Sequence, residues 1–123
     1  MIGKIVISII PYYDMQSRKK SFKRRPVLVI GGPRNNDYTV LPVSTISKKQ
    51  FLDTEYDIEI DPAIYPLTYL TKVSYVRTHK QTVVNCLDLR TVLADLKSDY
   101  PDLYESILMK LQSFNEMTIT NAL

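Results

Sequence analysis

The chain has 123 residues, of which 45% are hydrophobic and 24% charged, with a net charge of +3. That size suits one domain with one modest core that needs no metal or disulfide staple. No stretch approaches a membrane span, the N-terminus lacks a secretory-signal pattern, and the lone cysteine, Cys86, excludes an internal disulfide and fits a reducing cytoplasm.

In chain order, Lys4 to Ile10 is short and β-branched and predicts a first strand. It is apolar on both faces, which predicts a central position, and Pro11 is expected to end it. Residues Pro11 to Arg24 then read as a long basic loop, with Tyr12, Tyr13 and Phe22 set among cations. Pro26 to Ile30 predicts strand two. The run Gly31 to Asp37 is a dense turn signal, and Tyr38 to Val43 predicts strand three of a hairpin. Pro42 marks an edge or a bulge. Ser44 and Thr45 place hydroxyls at that strand's exit, and Lys48 to Glu55 reads as a polar loop.

Tyr56 to Asp61 alternates, with Ile58 and Ile60 predicted inward and Asp57, Glu59 and Asp61 outward on a solvated face. Those carboxylates have no nearby histidine to complete a metal site. Tyr69 to Thr78 and Gln81 to Val84 predict further strands. Asp88 is placed to cap a helix carrying Leu89, Val92, Leu93 and Leu96 on one face. Pro101 starts a second helix with Tyr104, Ile107, Leu108 and Leu111 in the same spacing. The tail after Asn115 is weakly specified. No repeat or linker divides residues 1–123, so the reading is one domain. Strands followed by helices predict a small β-barrel, mainly β, of five to seven strands, covered by C-terminal helices.

The charge is unevenly spread. Residues 1–34 hold eight Lys/Arg against one Asp, whereas the remainder holds eight against twelve Asp/Glu. Arg18, Lys19, Lys20, Lys23, Arg24 and Arg25 form one cluster. A concentrated patch on a mildly acidic body points to a polyanion or an acidic peptide, although a solubilising loop fits the same residues. Aromatics between cations suit single-stranded nucleic acid, where bases stack and phosphates pair with charge. Pro26 restrains Arg25 to extended geometry where loop meets sheet, a good anchorage for a functional cation.

No His/Cys metal cluster and no hydrolase triad signature is present, and no cofactor motif is recognised. Metal-free RNA cleavage stays open, because RNA carries its own nucleophile. Its 2′-hydroxyl attacks the adjacent phosphorus to give a 2′,3′-cyclic phosphate and a 5′-hydroxyl. An always-charged, fork-shaped arginine stabilises the phosphate oxygens, and hydroxyls of Ser44 and Thr45 can bond them. His79 is the one imidazole in the chain and so a candidate for acid–base work, though a lone histidine at a strand end also reads as merely exposed.

Four segments in order resemble the MazF/PemK (Kid) family of toxins from toxin–antitoxin systems. Gly3-Lys4-Ile5-Val6 is similar to the family's opening strand, and Lys23 to Ile30 to its Arg-Pro-x-Leu-Val strand. Leu41-Pro42-Val43-Ser44-Thr45 is similar to its Pro-Ile/Val-Thr-Ser strand end, and Ser74 to Thr78 to the segment ending in Arg-Thr. The resemblance runs through about residues 2 to 84. It implies an SH3-like barrel, a homodimer and a metal-independent, sequence-selective endoribonuclease acting on single-stranded RNA. It also implies neutralisation by an antitoxin that lays an acidic extended segment across the RNA groove, and operator DNA as a ligand of the toxin–antitoxin complex. By motif, Arg25 takes the catalytic arginine's place. Ser44 and Thr45 stand where the family has threonine and serine, in swapped order. Lys4 replaces an acidic residue. Lys72 and Ser74 stand near an arginine and an aspartate that support catalysis in PemK-like members, which favours the MazF-like arrangement, with His79 as a compensating group. Tyr12, Tyr13, Arg18, Lys19, Lys20, Phe22, Lys23, Arg24 and Arg77 are the RNA-binding candidates. Two other classes fit the same residues: a non-catalytic nucleic-acid-binding barrel, and a toxin-fold protein acting on a protein target or on promoter DNA.

Overall fold

The computed structural model describes all 123 residues. Seven strands form one strongly curled antiparallel sheet: β1 (Lys4–Asp14), β2 (Lys19–Arg34), β3 (Asp37–Ser44), β4 (Asp57–Ile60), β5 (Ser74–Arg77), β6 (Thr82–Asn85) and β7 (Leu89–Asp95). The order across the sheet is β4-β5-β3-β2-β1-β7, with β6 also paired to β3. A short helix, α1 (Leu96–Asp99), leads into a long one, α2 (Pro101–Ala122). The result is a half-barrel backed by a C-terminal helix, as the strands-then-helices order predicts.

The curl has local causes. Register shifts interrupt the β1–β7 and β2–β3 ladders, and an extra residue in one strand increases its twist. Pro42 sits where β3 changes partners. Pairing with β6 stops at Val40, and pairing with β5 starts at Val43. A residue with no backbone N–H costs nothing in that gap. The β2–β3 turn narrows to Asn35-Asn36, both at positive φ, the geometry that matches the right-handed twist of a two-residue hairpin.

Alternation sorts the apolar residues onto two faces. Ile5, Leu28, Leu41, Val43, Ile60 and Val76 pack with Leu96, Leu103, Tyr104 and Ile107 into the main core between sheet and α2. Val6, Val27, Val29 and Val40 form a smaller cluster on the other face, covered by Tyr38, Val84 and Leu89. Gly3 ties the first strand to α1. Its φ is +87°, and a Cβ there would run into the Lys97 side chain, so only glycine fits.

The predicted helix after Asp88 is not a helix. Cys86–Asp88 is a 3-10 turn whose Cys86 N–H donates to the Asn36 carbonyl at 2.8 Å and whose Leu87 N–H donates to Asn85 Oδ1 at 3.0 Å. The chain then runs extended as β7 beside β1. Leu89 and Leu93 are four apart, a spacing that period two satisfies as well as helical period does. Val92 falls on the outer face and is 47% exposed. The capping aspartate is Asp95, which accepts from the Ser98 N–H. Pro101 does begin α2, and Tyr104, Ile107, Leu108 and Leu111 pack on the core as predicted. The helix continues past Asn115 as an exposed stem. The strand predicted from Tyr69 shrinks to Ser74–Arg77, because Pro66–Thr68 forms a 3-10 turn and Tyr69 is left-handed with φ 57°. No helix is long and apolar enough to cross a membrane.

Candidate nucleic-acid interface

The stretch Pro11 to Arg24 is not a loop. It is the outer part of a β1–β2 ribbon that pairs without interruption from Ile5↔Leu28 to Asp14↔Lys19. Only Met15 to Arg18 turn the chain. Asp14 caps that turn, accepting from the Gln16 N–H at 3.0 Å. This bond, with the Ser17 hydroxyl, holds the Asp14 carboxyl below its ordinary pKa. Arg18 takes up the left-handed corner with φ 54°.

The ribbon's register divides its side chains. Ser8, Ile10 and Tyr12 share a face with Arg25, Lys23 and Ser21, whereas Ile9, Pro11 and Tyr13 share the opposite face with Arg24, Phe22 and Lys20. Lys23 Nζ lies 4.2 Å above the Tyr12 ring, a cation–π contact on the Arg25 side. Tyr13 and Phe22 are exposed on the far side. Arg18, Lys19, Lys20, Lys23, Arg24 and Arg25 are all exposed, and none has a carboxylate within salt-bridge distance.

At the root of this arm a pocket is lined by Arg25, Pro26, Ser44, Thr45, Lys72 and Ser74, together with Leu70 and Thr71. Arg25 and Ser44 meet there because Val27 pairs with Pro42. Two residues further along, the same register sets Arg25 against Ser44 while the strands diverge. Ser8, across from Arg25, is fully buried, and its hydroxyl has no protein partner. Lys72 arrives on the irregular segment between β4 and β5. That segment is pinned by Thr68, whose hydroxyl donates to the Tyr65 carbonyl, and by the Leu67 N–H, which donates to Tyr100 Oη at 3.0 Å. Tyr65 and Tyr100 stack edge to face at 5.0 Å. Sequence reading named Lys72 only as a departure from a motif; its place beside Arg25 depends on this long-range pinning.

A second pocket adjoins the first and shares Ser44 and Thr45 with it. Its other walls include Ser47, Lys48, Phe51 and Arg77. Arg77 is held rigidly: Nε donates to Asp57 Oδ1 at 3.1 Å, and Nη2 to Asp57 Oδ2 at 3.3 Å and to the Phe51 carbonyl at 3.0 Å. Asp57, predicted on a solvated face, has a side chain with 0% exposure. It also accepts the Asp53 N–H at 2.8 Å. Burial is tolerable because both oxygens are answered, Oδ1 by the Arg77 Nε–H and Oδ2 by the Arg77 Nη2–H and the Asp53 N–H.

His79 does not line either pocket. Its ring is 14% exposed, with Nδ1 3.7 Å from Asp57 Oδ1 and Nε2 4.0 Å from Asp53 Oδ2. Phe114 of α2 packs edge-on against Tyr56 at 5.0 Å and against His79 at 6.2 Å. The Asp53 carboxyl is held below its ordinary pKa chiefly by the Tyr56 N–H, against a desolvation that pushes the other way, with the Glu55 N–H and His79 helping. Desolvation pushes the Tyr56 phenol up. The structure therefore brings Arg25, Ser44 and Thr45 together, sets Arg77 in the neighbouring pocket, and leaves His79 in a separate cluster under α2.

No protein-family profile matches the chain, and no curated protein sequence does. Among solved structures, the Mycobacterium tuberculosis toxin MazF-mt6 superposes with a TM-score of 0.54. The aligned region covers 89% of this chain and 96% of that one, at 23% identity. The fold is MazF-like. At that identity the likeness is one of backbone path, and the MazF-like fold is the shared property.

Proposed function

We propose that this MazF-like chain is an endoribonuclease toxin that cleaves single-stranded RNA at the Arg25 pocket without a metal. The observation that carries the reading is the convergence of Arg25, free of any ion pair, with the hydroxyls of Ser44 and Thr45 at the root of a basic arm. The arm's exposed cations supply a track for the RNA backbone. Tyr12 and Lys23 flank the track on the Arg25 face, and Tyr13 and Phe22 offer stacking surfaces on the other.

The reaction asks little covalent chemistry of the protein. The 2′-oxygen attacks phosphorus as its proton passes to solvent water, the bond to the 5′-oxygen breaks, and that oxygen takes up a proton from solvent. Charge develops on the non-bridging oxygens in between. Arg25 is placed to donate to them through its guanidinium, with Ser44 and Thr45 as neutral donors and Lys72 as a second cation. No carboxylate or imidazole lines the pocket, so alignment and charge stabilisation are its contribution. An acidic, extended antitoxin segment would compete for the same arm, and a homodimer would present two such arms. Operator DNA is the ligand proposed for the toxin–antitoxin complex, and the cytoplasm is the proposed compartment.

Incubating the protein with a long single-stranded RNA in excess EDTA tests the reading. The expected products are discrete fragments with 5′-hydroxyl and cyclic-phosphate ends. Retarded but intact RNA would favour a binding module instead.

A further inference from the structure

We propose that the pocket beside the Arg25 site is a second phosphate subsite, built from Arg77, Lys48 and Ser47, that grips the phosphodiester next to the one being cleaved. The inference rests on the ribonuclease reading and deepens it. Four observations support it. The pocket shares Ser44 and Thr45 with the Arg25 pocket, so a strand leaving one enters the other. Each pocket combines one arginine, one lysine and hydroxyls, the donor set that suits a phosphate.

Arg77 is also prepared for the task. Its Nε and Nη2 hydrogens are committed to Asp57 and the Phe51 carbonyl, while Nη1 has no protein acceptor. A guanidinium fixed through Nε and Nη2 presents its remaining Nη1 donors without losing rotamer freedom on binding. Asp57 acts here as a positioning residue. Its charge offsets that of Arg77, so the subsite gives directional hydrogen bonds more than long-range attraction. Lys48, exposed and unpaired at the head of the 3-10 turn Lys49–Phe51, restores a net positive charge. The competing explanation is that Arg77 and Asp57 are only a structural brace between β5 and β4.

The two explanations separate in binding measurements on an RNA oligonucleotide with 2′-O-methyl groups, which cannot be cleaved. Dissociation constants are measured across a salt series for the native protein, Lys48→Ala and Arg77→Gln. Lys48→Ala removes an exposed side chain and should fold normally. A subsite predicts affinity weakened several-fold, with a salt slope shallower by about 0.7, one phosphate's worth for a single strand. For Arg77→Gln the expected loss is about ten-fold or more, with the same change of slope. A Lys48→Ala protein with unchanged affinity and slope overturns the subsite, whether or not Arg77→Gln folds. Failure of the native protein to bind the oligonucleotide at all overturns the ribonuclease reading itself, and the subsite with it. Native binding with unaltered variants removes the subsite alone.

Discussion

Arg25→Ala is expected to slow cleavage of single-stranded RNA by about 10²–10³-fold under single-turnover conditions, the usual cost of removing one donor aimed at developing charge. The side chain is exposed and carries no ion pair. Melting should therefore stay within about 0.5 kcal/mol of the native protein. Arg25→Lys should recover only part of the rate, because an ammonium cannot offer the planar fork. Double replacement of Ser44 and Thr45 by alanine tests the same pocket from its other wall. If the two hydroxyls and Arg25 act on one phosphate, adding Arg25→Ala to that pair should cost less than the separate effects multiplied together. Unchanged cleavage by a folded Arg25→Ala protein would move the chemistry elsewhere.

The largest effect on stability is expected at Asp57. Asp57→Ala removes a fully buried carboxylate that answers Arg77, the Asp53 N–H and, at longer range, His79. Losing one partner of a buried pair costs about 3–5 kcal/mol when the survivor stays buried. Arg77 retains some exposure, so the lower end applies, a fall in Tm on the order of 10 °C. Asp57→Asn keeps an acceptor for Arg77 and should cost less. His79→Ala should leave cleavage at neutral pH largely intact, since the ring lines neither pocket, while loosening the contact with Phe114. A collapse of cleavage in a folded His79→Ala protein would instead return the imidazole to the chemistry. Asp53 has a lowered folded pKa, so its contribution is present above the ordinary 3.8 and is lost as pH falls through the folded value.

Much of the fold is legible in the residues. β-branched runs locate β1 and β2, the Asn35-Asn36 turn joins β2 to β3, and Pro101 with its three-and-four spacing locates α2. Two errors have physical causes. The arm reads as a loop because a two-stranded ribbon with both faces in water carries no apolar alternation; its pairing rests on cross-strand contacts and twist, not on burial. The stretch after Asp88 reads as a helix because a spacing of four serves either period, and the unpaired edge of β1 decides for strand. The site is legible in part. Pro26 and the strand-end hydroxyls mark Arg25, Ser44 and Thr45 from sequence. Their meeting requires the Val27↔Pro42 register, and Lys72 requires a segment pinned by a tyrosine 33 residues distant from its bonding partner. Asp57 is misread because strand alternation sets it outward, whereas Arg77 across the ladder and the Asp53 turn enclose it.

The most direct test uses an oligonucleotide containing one mapped cleavage step, prepared as RNA and again with a single 2′-deoxy sugar on the 5′ side of that step. Both are mixed with the protein in EDTA. The expected result is cleavage of the first with a 5′-hydroxyl product, and binding without cleavage of the second. Cleavage of the deoxy-substituted strand would show that the nucleophile is not the RNA's own hydroxyl, and the mechanism built on Arg25, Ser44 and Thr45 would not stand.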